Sequence, residues 1–314
     1  MSNTASLVLS IMSVVIVVTV FILTNRSNFI INRIEQDQDD IERVSTHIRR
    51  YRTLDEMRYI LYGVGEQYSM YDKQVLEYIR SQISLPSLTR PRQLDRPSKH
   101  DESQAGQSKF VDKLLSRRRN GFFIECGALE GERHSNTLFF ELERNWTGIL
   151  IEANPNYHSA LLSKNRRAYV LRACLSTERR PMTVRIQPAT GLSGITDKMH
   201  QSHLFRIRGF KKPEIVVNCF PLNTVMASLN VNHVDYFSLD VEGAEIDILR
   251  TVDWKRLHID VITIEYAISG GPRVGRNKSA TSIKLQNLRK FFRDTGLYKE
   301  VGVLNQLDVV FSHV

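Results

Sequence analysis

The chain has 314 residues and a formal net charge of +9, with 43 Lys and Arg residues against 34 Asp and Glu residues. Hydrophobic residues make up 42% of the chain and charged residues 25%, which excludes a wholly disordered protein and a fibrous repeat. A chain of this length can bury enough surface to fold without a disulfide framework, and its three cysteines do not identify a redox compartment.

The first 25 residues carry no charged side chain, and residues 7–23 read LVLSIMSVVIVVTVFIL. This run is just long enough to cross a bilayer core of about 30 Å as a helix. A cleaved signal peptide is the main alternative, but a basic start and a small-x-small cleavage site are both missing. We therefore predict a transmembrane anchor at residues 1–25. Arg26 and Arg33 weakly favour a cytosolic C-terminal part.

The two segments after the anchor differ in composition. In residues 26–85, apolar side chains recur at steps of three and four, as at Ile41, Val44 and Ile48, which predicts a helical stem. Residues 86–108 contain three prolines and several Ser and Gln residues. That composition predicts a linker or an extended arm that wraps the next domain.

The rest of the chain, residues 109–314, has the pattern of one folded domain. Short apolar runs alternate with helix-like segments, and the runs lie at 122–124, 148–151, 168–171, 236–239 and 261–264. Continuous apolar runs are typical of buried parallel strands, and their alternation with helices indicates βαβ units. The sequence therefore predicts an α/β domain with a mostly parallel sheet, in which ligands bind beyond the carboxyl ends of the strands.

Acids and glycines follow the first two predicted strands. The first strand ends in Glu125-Cys126-Gly127, with Gly131 shortly after, and the second strand ends at Glu152. Glycines at a strand-to-helix turn allow a tight bend and a close approach of the backbone to a ligand. An acid at the end of the second strand can accept hydrogen bonds from both hydroxyls of a ribose. The glycine spacing is GxxxG rather than GxGxxG, which argues against a dinucleotide-binding dehydrogenase.

Three acids, Asp240, Glu242 and Glu245, lie within six residues at the end of the fourth strand. Asp240 and Glu242 alternate about Val241, so both face one cleft if the strand continues. Buried carboxylates without partners would repel one another, which favours a functional cleft over an ordinary core. Glu265 closes the fifth strand and would join the same cleft. We predict no metal site here, because no His or Asn spacing accompanies the acids.

Four stretches, GFFIECGALEG, LIEANP, NRRAYV and VDYFSLDVEGAEIDIL, resemble the FkbM-type S-adenosylmethionine-dependent methyltransferases over roughly residues 104–268. Three more, SQAGQSKFVDKLL, SNTLFFE and NCFPLNTV, are similar to the Star-type branch of that family, whose members are membrane proteins. The resemblance implies a Rossmann-like class I methyltransferase fold with S-adenosylmethionine as its cofactor. By the same resemblance, Glu125, Gly127 and Gly131 would hold the methionine part of the cofactor, and Glu152 would hold the ribose.

The resemblance also implies a catalytic role for two acids. Asp240 and Glu242 would lie near the methyl group, and one of them would act as general base toward a hydroxyl of a small-molecule or glycan acceptor. His134 is an alternative base, and residues 186–214 are a candidate loop over the cleft.

The Star-type likeness implies a second function, that of a non-catalytic factor in the trafficking of epidermal-growth-factor-like ligands. FkbM enzymes commonly have Asp and then GAN where this chain has Glu125 and then Gly127-Ala128-Leu129, a departure that weakens the case for catalysis. Under both hypotheses we expect a single-pass membrane protein of the endoplasmic reticulum, Golgi and endosomal system. Under the trafficking hypothesis we also expect a secretory cargo protein as its partner. The anchor argues against nucleic acid as a partner.

Overall fold

The computed structural model describes residues 69–86, 89–189, 191–207, 213–270 and 275–314. The predicted transmembrane anchor and most of the predicted stem lie outside these ranges. Within them, none of the helices is both long enough and apolar enough to cross a membrane. The described residues all belong to one compact unit.

The helices of this unit are α1 (Lys73–Gln82), α2 (Gln107–Leu114), α3 (Leu138–Glu143), α4 (Pro155–Ser163), α5 (Gln201–Ile207), α6 (Leu222–Ser228), α7 (Glu245–Thr251) and α8 (Lys278–Thr295). The strands are β1 (Ile83–Ser84), β2 (Phe122–Cys126), β3 (Thr147–Ile151), β4 (Tyr169–Leu171), β5 (Cys174–Leu175), β6 (Met182–Gln187), β7 (Gly194–Ile195), β8 (Ile215–Phe220), β9 (His233–Leu239), β10 (His258–Glu265), β11 (Tyr298–Leu304) and β12 (Asp308–His313).

Eight strands form the main sheet in the order β1-β4-β3-β2-β9-β10-β12-β11. The strands β4, β3, β2, β9 and β10 are parallel, whereas β1, β12 and β11 pair antiparallel with their neighbours. The chain runs outward from β2 through β3 to β4, and then returns to the other side of β2 with β9 and β10. This reversal of strand order makes a crevice at the carboxyl ends of β2 and β9. The predicted Rossmann-like fold is confirmed, with a mixed sheet whose centre is parallel.

The apolar runs of the sequence form the centre of this sheet because both faces of its strands are covered. Phe123 on β2 and Tyr236 on β9 are fully buried register partners. The Tyr236 hydroxyl shares a hydrogen bond of 2.8 Å with the hydroxyl of Thr263 on β10. Burying a phenylalanine side chain such as that of Phe123 stabilises the fold by roughly 1.5–3 kcal/mol.

The segments before α2 belong to the fold. The strand β1 pairs with β4, so the sheet begins inside the segment that the sequence assigns to the stem. In the segment predicted as a linker or arm, the backbone N–H groups of Asp95 and Arg96 donate to the carboxylate of Glu132 at 2.7 and 2.6 Å. Both residues are thereby attached to the domain.

A second sheet of four strands, in the order β5-β8-β6-β7, follows β4 along the chain. Cys174 on β5 and Cys219 on β8 are register partners and form a disulfide. Cys126 is a buried free thiol. The segment 186–214, which the sequence presents as a candidate loop, contains β7, a short 3-10 helix and α5 among its described residues.

Candidate functional site

A cavity of about 290 Å³ lies at the carboxyl ends of the parallel strands. Its volume is near the lower end of the range for small-molecule sites, roughly 300–1,000 Å³. One side is formed by the ends of β2, β3, β9 and β10, and the other side by β5, β6 and β7 of the second sheet. Five of the six residues predicted for the site line it, namely Glu125, Gly127, Glu152, Asp240 and Glu242.

The two glycines of the first motif have different environments, although both have a positive φ, 91° at Gly127 and 83° at Gly131. A Cβ on Gly127 would lie 2.0 Å from the backbone oxygen of Asp240, so this glycine lets the ends of β2 and β9 approach. A Cβ on Gly131 would lie 2.5 Å from a methyl group of Leu161 on α4. The carbonyl of Gly131 also accepts a hydrogen bond from Arg166. The turn at Gly131 therefore packs on α4, away from the cavity lining.

Glu125 is almost fully buried, and its carboxylate accepts hydrogen bonds from neighbouring protein groups. The donors are the N–H of Asn136 at 2.6 Å and the hydroxyls of Ser135 and Thr137 at 2.8 and 2.5 Å. Burial raises the pKa of Glu125, and the Arg166 guanidinium and these hydrogen bonds oppose the rise. The carboxylate thus fixes the turn before α3, which is a wall of the cavity. The sequence analysis did not anticipate this role.

Glu152 follows β3 and is positioned by backbone groups on both of its oxygens. Its Oε1 accepts a hydrogen bond of 2.7 Å from the N–H of Asn154, and its Oε2 accepts one of 2.8 Å from the N–H of Leu129. Burial raises the pKa of this carboxyl, and the backbone N–H groups oppose the rise. A carboxylate oxygen can accept more than one hydrogen bond. Both oxygens are therefore held in place with acceptor capacity left for a pair of hydroxyls.

One residue that lines the same cavity, Asn136, carries an unpaired acceptor. The side chain of Asn136 is buried, and its Nδ2 donates a hydrogen bond of 2.9 Å to the hydroxyl of Ser238. Its Oδ1 is buried without a hydrogen-bond partner among the residues that the structure describes. A buried carbonyl oxygen without a partner costs free energy, so it marks a place where a donor from a ligand would be stabilised.

Three acids from the ends of β9 and β10 form a cluster. Carboxylate oxygens of Asp240, Glu242 and Glu265 lie within 4.8 Å of one another. Burial, with the negative charges of Asp308 and Glu245, raises the pKa of Asp240 to about 7. Burial and the charge of Asp240 also raise the pKa values of Glu242 and Glu265 well above the ordinary value. The predicted convergence of these acids on one cleft is therefore observed.

Lys284 on α8 supplies a positive charge beside the acids. Its Nζ lies 2.8 Å from Oε2 of Glu245, whose Oε1 accepts the N–H of Gly243 at 3.1 Å. Burial alone would lower the pKa of Lys284, but Glu245 and Glu265 raise it above its ordinary value, so the amine stays protonated. Lys284 could not be predicted from the sequence, because nothing in the local pattern of α8 distinguishes it from a solvated lysine.

Glu242 lies between two cavities. It has a left-handed backbone with φ of 60°, and its Oε2 lies 3.1 Å from Nδ1 of His203. Burial lowers the pKa of His203 to about 4, so this imidazole is neutral at physiological pH. Both residues line a second cavity of about 580 Å³ between α5 and α8, and Glu242 also lines the first. The shared carboxylate makes the two cavities neighbours.

The sequence profile of the Methyltransferase FkbM domain matches residues 125–295. The chain belongs to the FkbM methyltransferase family. The matched range begins at Glu125 and ends at the last residue of α8, so it contains the acid cluster and Lys284. None of the curated proteins compared with this FkbM protein matches it.

Solved structures of methyltransferases are similar to this FkbM protein at low identity. One is methyltransferase FkbM from Methylobacillus flagellatus KT, at 11% identity and a TM-score of 0.41, covering 77% of this chain and 58% of that one. A second is fibrillarin from Aeropyrum pernix with natively bound S-adenosyl-L-methionine, at 11% identity and a TM-score of 0.36, covering 68% of this chain and 74% of that one. A third is a human methyltransferase 10 domain containing protein, at 9% identity and a TM-score of 0.34, covering 77% and 96%.

Proposed function

We propose that the FkbM domain binds S-adenosylmethionine in the 290 Å³ cavity and transfers its methyl group to a hydroxyl of an acceptor. The observation that carries the proposal is Glu152, whose two oxygens are held at the cavity by the N–H groups of Leu129 and Asn154. A carboxylate in this position suits the two ribose hydroxyls of the cofactor. When bound, the cofactor supplies a methyl group on a positively charged sulfonium.

The other groups around the cavity fit the same cofactor. The unpaired Oδ1 of Asn136 would accept a hydrogen bond from the ammonium of the methionine part. The carboxylates of Asp240 and Glu242 would lie near the sulfonium, whose charge they complement. Aliphatic side chains on the side of the second sheet, Leu192 and Ile195, offer an apolar surface for the adenine.

Asp240 is the better candidate for the general base. Because its pKa is about 7, a large fraction of the Asp240 carboxyl groups is ionised at neutral pH and can accept a proton. A base whose pKa lies near the working pH also transfers protons efficiently. Glu242 would position the acceptor, because it lies between the cofactor cavity and the 580 Å³ cavity. The second cavity is lined by donors such as Lys198, Gln201 and Asn287, which suit a polyhydroxyl acceptor such as a glycan or a small molecule.

Calorimetric titration of the full chain in detergent with S-adenosylmethionine tests the proposal. The variant Glu152→Gln removes the charge that would accept from the ribose, and we expect binding about 10- to 100-fold weaker. The matched control is Glu178→Gln, which changes an exposed acid in the turn between β5 and β6 and should leave affinity unchanged. A folded wild-type protein that does not bind the cofactor at roughly millimolar concentration would overturn the proposal. That result would favour the Star-like alternative, in which a cargo protein co-precipitates with the chain.

We also propose that residues 1–25 anchor the chain and that the FkbM domain faces the lumen of the endoplasmic reticulum and Golgi. The support is the disulfide between Cys174 and Cys219, since such bonds persist in oxidising compartments. This orientation is the opposite of the one that the positive-inside count weakly favours. In the lumen, Asn145 would be glycosylated, because it is exposed and begins the sequon Asn-Trp-Thr.

The orientation is tested in cells by digestion with an endoglycosidase. We expect the wild-type chain to lose apparent mass and the variant Asn145→Gln to lose less. The matched control is Asn277→Gln, because Asn277 also begins a sequon but its side chain accepts the N–H of Ala280 at the start of α8. A wild-type chain that carries no glycan and has reduced Cys174 and Cys219 would contradict a lumenal domain.

A further inference from the structure

We propose that the amino-terminal ends of β9 and β10 form a binding site for a divalent transition-metal ion such as Zn²⁺, with His233, His258 and Asp260 as its ligands. This site lies at the edge of the sheet opposite to the cofactor cavity, because parallel strands begin at one edge and end at the other. It is independent of the proposed methyl transfer.

The strand register brings the three side chains together. His233 and His258 are the first residues of β9 and β10, and they are direct partners in the parallel pairing of these strands. Neighbouring strands lie about 4.8 Å apart, so the two imidazoles stand side by side. Asp260 follows His258 by two residues and therefore points to the same face of the sheet. The starts of two strands that are 25 residues apart along the chain thus supply one compact group.

The ligand atoms are already near the geometry of a metal site. The Nε2 atoms of His233 and His258 each lie 2.9 Å from the same oxygen, Oδ1 of Asp260. Tetrahedral zinc with bonds of about 2.0–2.1 Å requires ligand atoms about 3.3 Å apart. The two distances to Asp260 would therefore have to lengthen by only a few tenths of an ångström. The two nitrogens and the oxygen all lie within 4.8 Å of one another. Imidazole nitrogen with carboxylate oxygen is a ligand set that zinc accepts.

The surroundings hold these groups in place and leave them accessible. The imidazoles of His233 and His258 stack at 5.2 Å between centroids, and the ring of His313 packs on His258 at 4.4 Å. The other oxygen of Asp260, Oδ2, accepts a hydrogen bond from Arg118, which fixes the carboxylate and turns Oδ1 toward the histidines. Such outer partners commonly orient the ligands of a metal site. The His233 and His258 side chains are 48% and 46% exposed, so an ion can reach them from solvent.

The site is tested with Zn²⁺ alone on the full chain, purified in detergent without a polyhistidine tag and stripped of metal. Competition with a chromogenic chelator measures affinity and stoichiometry. We expect the double variant His233→Ala/His258→Ala to lose one equivalent of zinc, and each single variant to bind that equivalent at least about 10-fold more weakly. Zinc should also raise the melting temperature of the wild-type protein and not that of the double variant.

The matched control is His100→Ala, which removes an exposed histidine that pairs with a single acid, Glu143. Its zinc stoichiometry should equal that of the wild type. The chain contains nine histidines, so zinc binding by itself does not locate the site. Equal stoichiometry and affinity in the wild type and the double variant would overturn the proposal. Cofactor binding by the double variant should be unchanged, which separates this test from that of the proposed function.

Discussion

The backbone oxygen of Asp240 lies so close to Gly127 that a Cβ on the glycine would be 2.0 Å from it. The glycine also has a φ of 91°, a backbone conformation that other residues rarely adopt. This contact couples the turn after β2 to the first acid of the cluster after β9. The two strand ends that form the cleft are therefore held at a separation that only glycine permits.

We predict that Gly127→Ala destabilises the domain by more than about 3 kcal/mol, because a new methyl group would overlap a backbone atom directly after β9. The free energy of unfolding from urea titration measures the effect. The control is Gly191→Ala, which has a φ of 64° and no described atom within 4 Å of the added Cβ. That variant should cost about 1 kcal/mol, from the backbone alone. Equal costs at the two positions would contradict a steric role for Gly127.

The elements that position the site could be predicted from the sequence because their signal is local. Apolar runs at 122–124 and 236–239 predicted strands, and Glu152 and Asp240 were placed at strand ends that the sheet then brought to one edge. That β2 and β9 are parallel neighbours could not be predicted from these local signals, because it depends on the strand order of the whole sheet.

The remaining parts of the site depend on contacts between residues that are distant in sequence. Lys284 reaches Glu245 from α8, and only the folded structure shows that this lysine is buried. Gly131 has the same spacing and the same positive φ that a cofactor loop would have, yet it packs on Leu161. Glu125 has the position of a cofactor ligand, but its partners are the residues of the next turn, which no periodicity reveals.

Lys284→Met should destabilise the domain by about 3–5 kcal/mol, since it leaves the buried carboxylate of Glu245 without its counter-charge. Methionine keeps most of the volume of the lysine stem, so the loss is chiefly electrostatic. The double variant Lys284→Met/Glu245→Gln should recover part of the stability, because the unpaired charge is then absent. Denaturant titration of the two single variants and the double variant gives the coupling energy. Additive losses would show that the two side chains do not act as a pair.

Asp240 should contribute to the stability of the domain a component that falls as pH rises between about 4 and about 7, by up to about 1.4 kcal/mol per pH unit. The reason is that Asp240 has a pKa of 3.8 when unfolded and of about 7 when folded. In this window the unfolded chain has released a proton that the native chain retains, so raising the pH favours unfolding. His203 contributes a component of opposite sign over part of this window, because burial lowers its pKa to about 4. The variant Asp240→Asn should show a more positive slope of unfolding free energy against pH than the wild type, in urea titrations at several pH values. An unchanged slope would exclude Asp240 as its source.

Removal of the disulfide in Cys174→Ser/Cys219→Ser should destabilise the domain by about 2–5 kcal/mol. The bond joins β5 to β8 across 45 residues of sequence, so it restricts the unfolded chain over a long loop. A reductant should lower the melting temperature of the wild-type protein and leave that of the double variant unchanged. The same melting temperature for the wild type with and without reductant would indicate that the bond is not formed in solution.

The acid cluster should make the cavity prefer a sulfonium over a neutral thioether. Asp240 and Glu242 have oxygens within 4.8 Å of each other and line the cavity, so a positive charge there relieves their repulsion. We predict that S-adenosylmethionine binds at least about 10-fold more tightly than S-adenosylhomocysteine, a difference of about 1.4 kcal/mol. The preference should grow as pH rises through about 7, because Asp240 then becomes ionised.

Calorimetric titration with both compounds at pH 6 and pH 8 measures this preference. The variant Asp240→Asn should show a smaller preference and less dependence on pH, because one of the two carboxylates that distinguish the compounds is gone. The control Asp247→Asn changes a partly exposed acid on α7 that pairs with Lys198 outside the cofactor cavity, and it should retain the preference. Equal affinities of the wild type for both compounds at pH 8 would mean that the acids do not face the sulfonium, and would remove Asp240 from its proposed place beside the transferred methyl group.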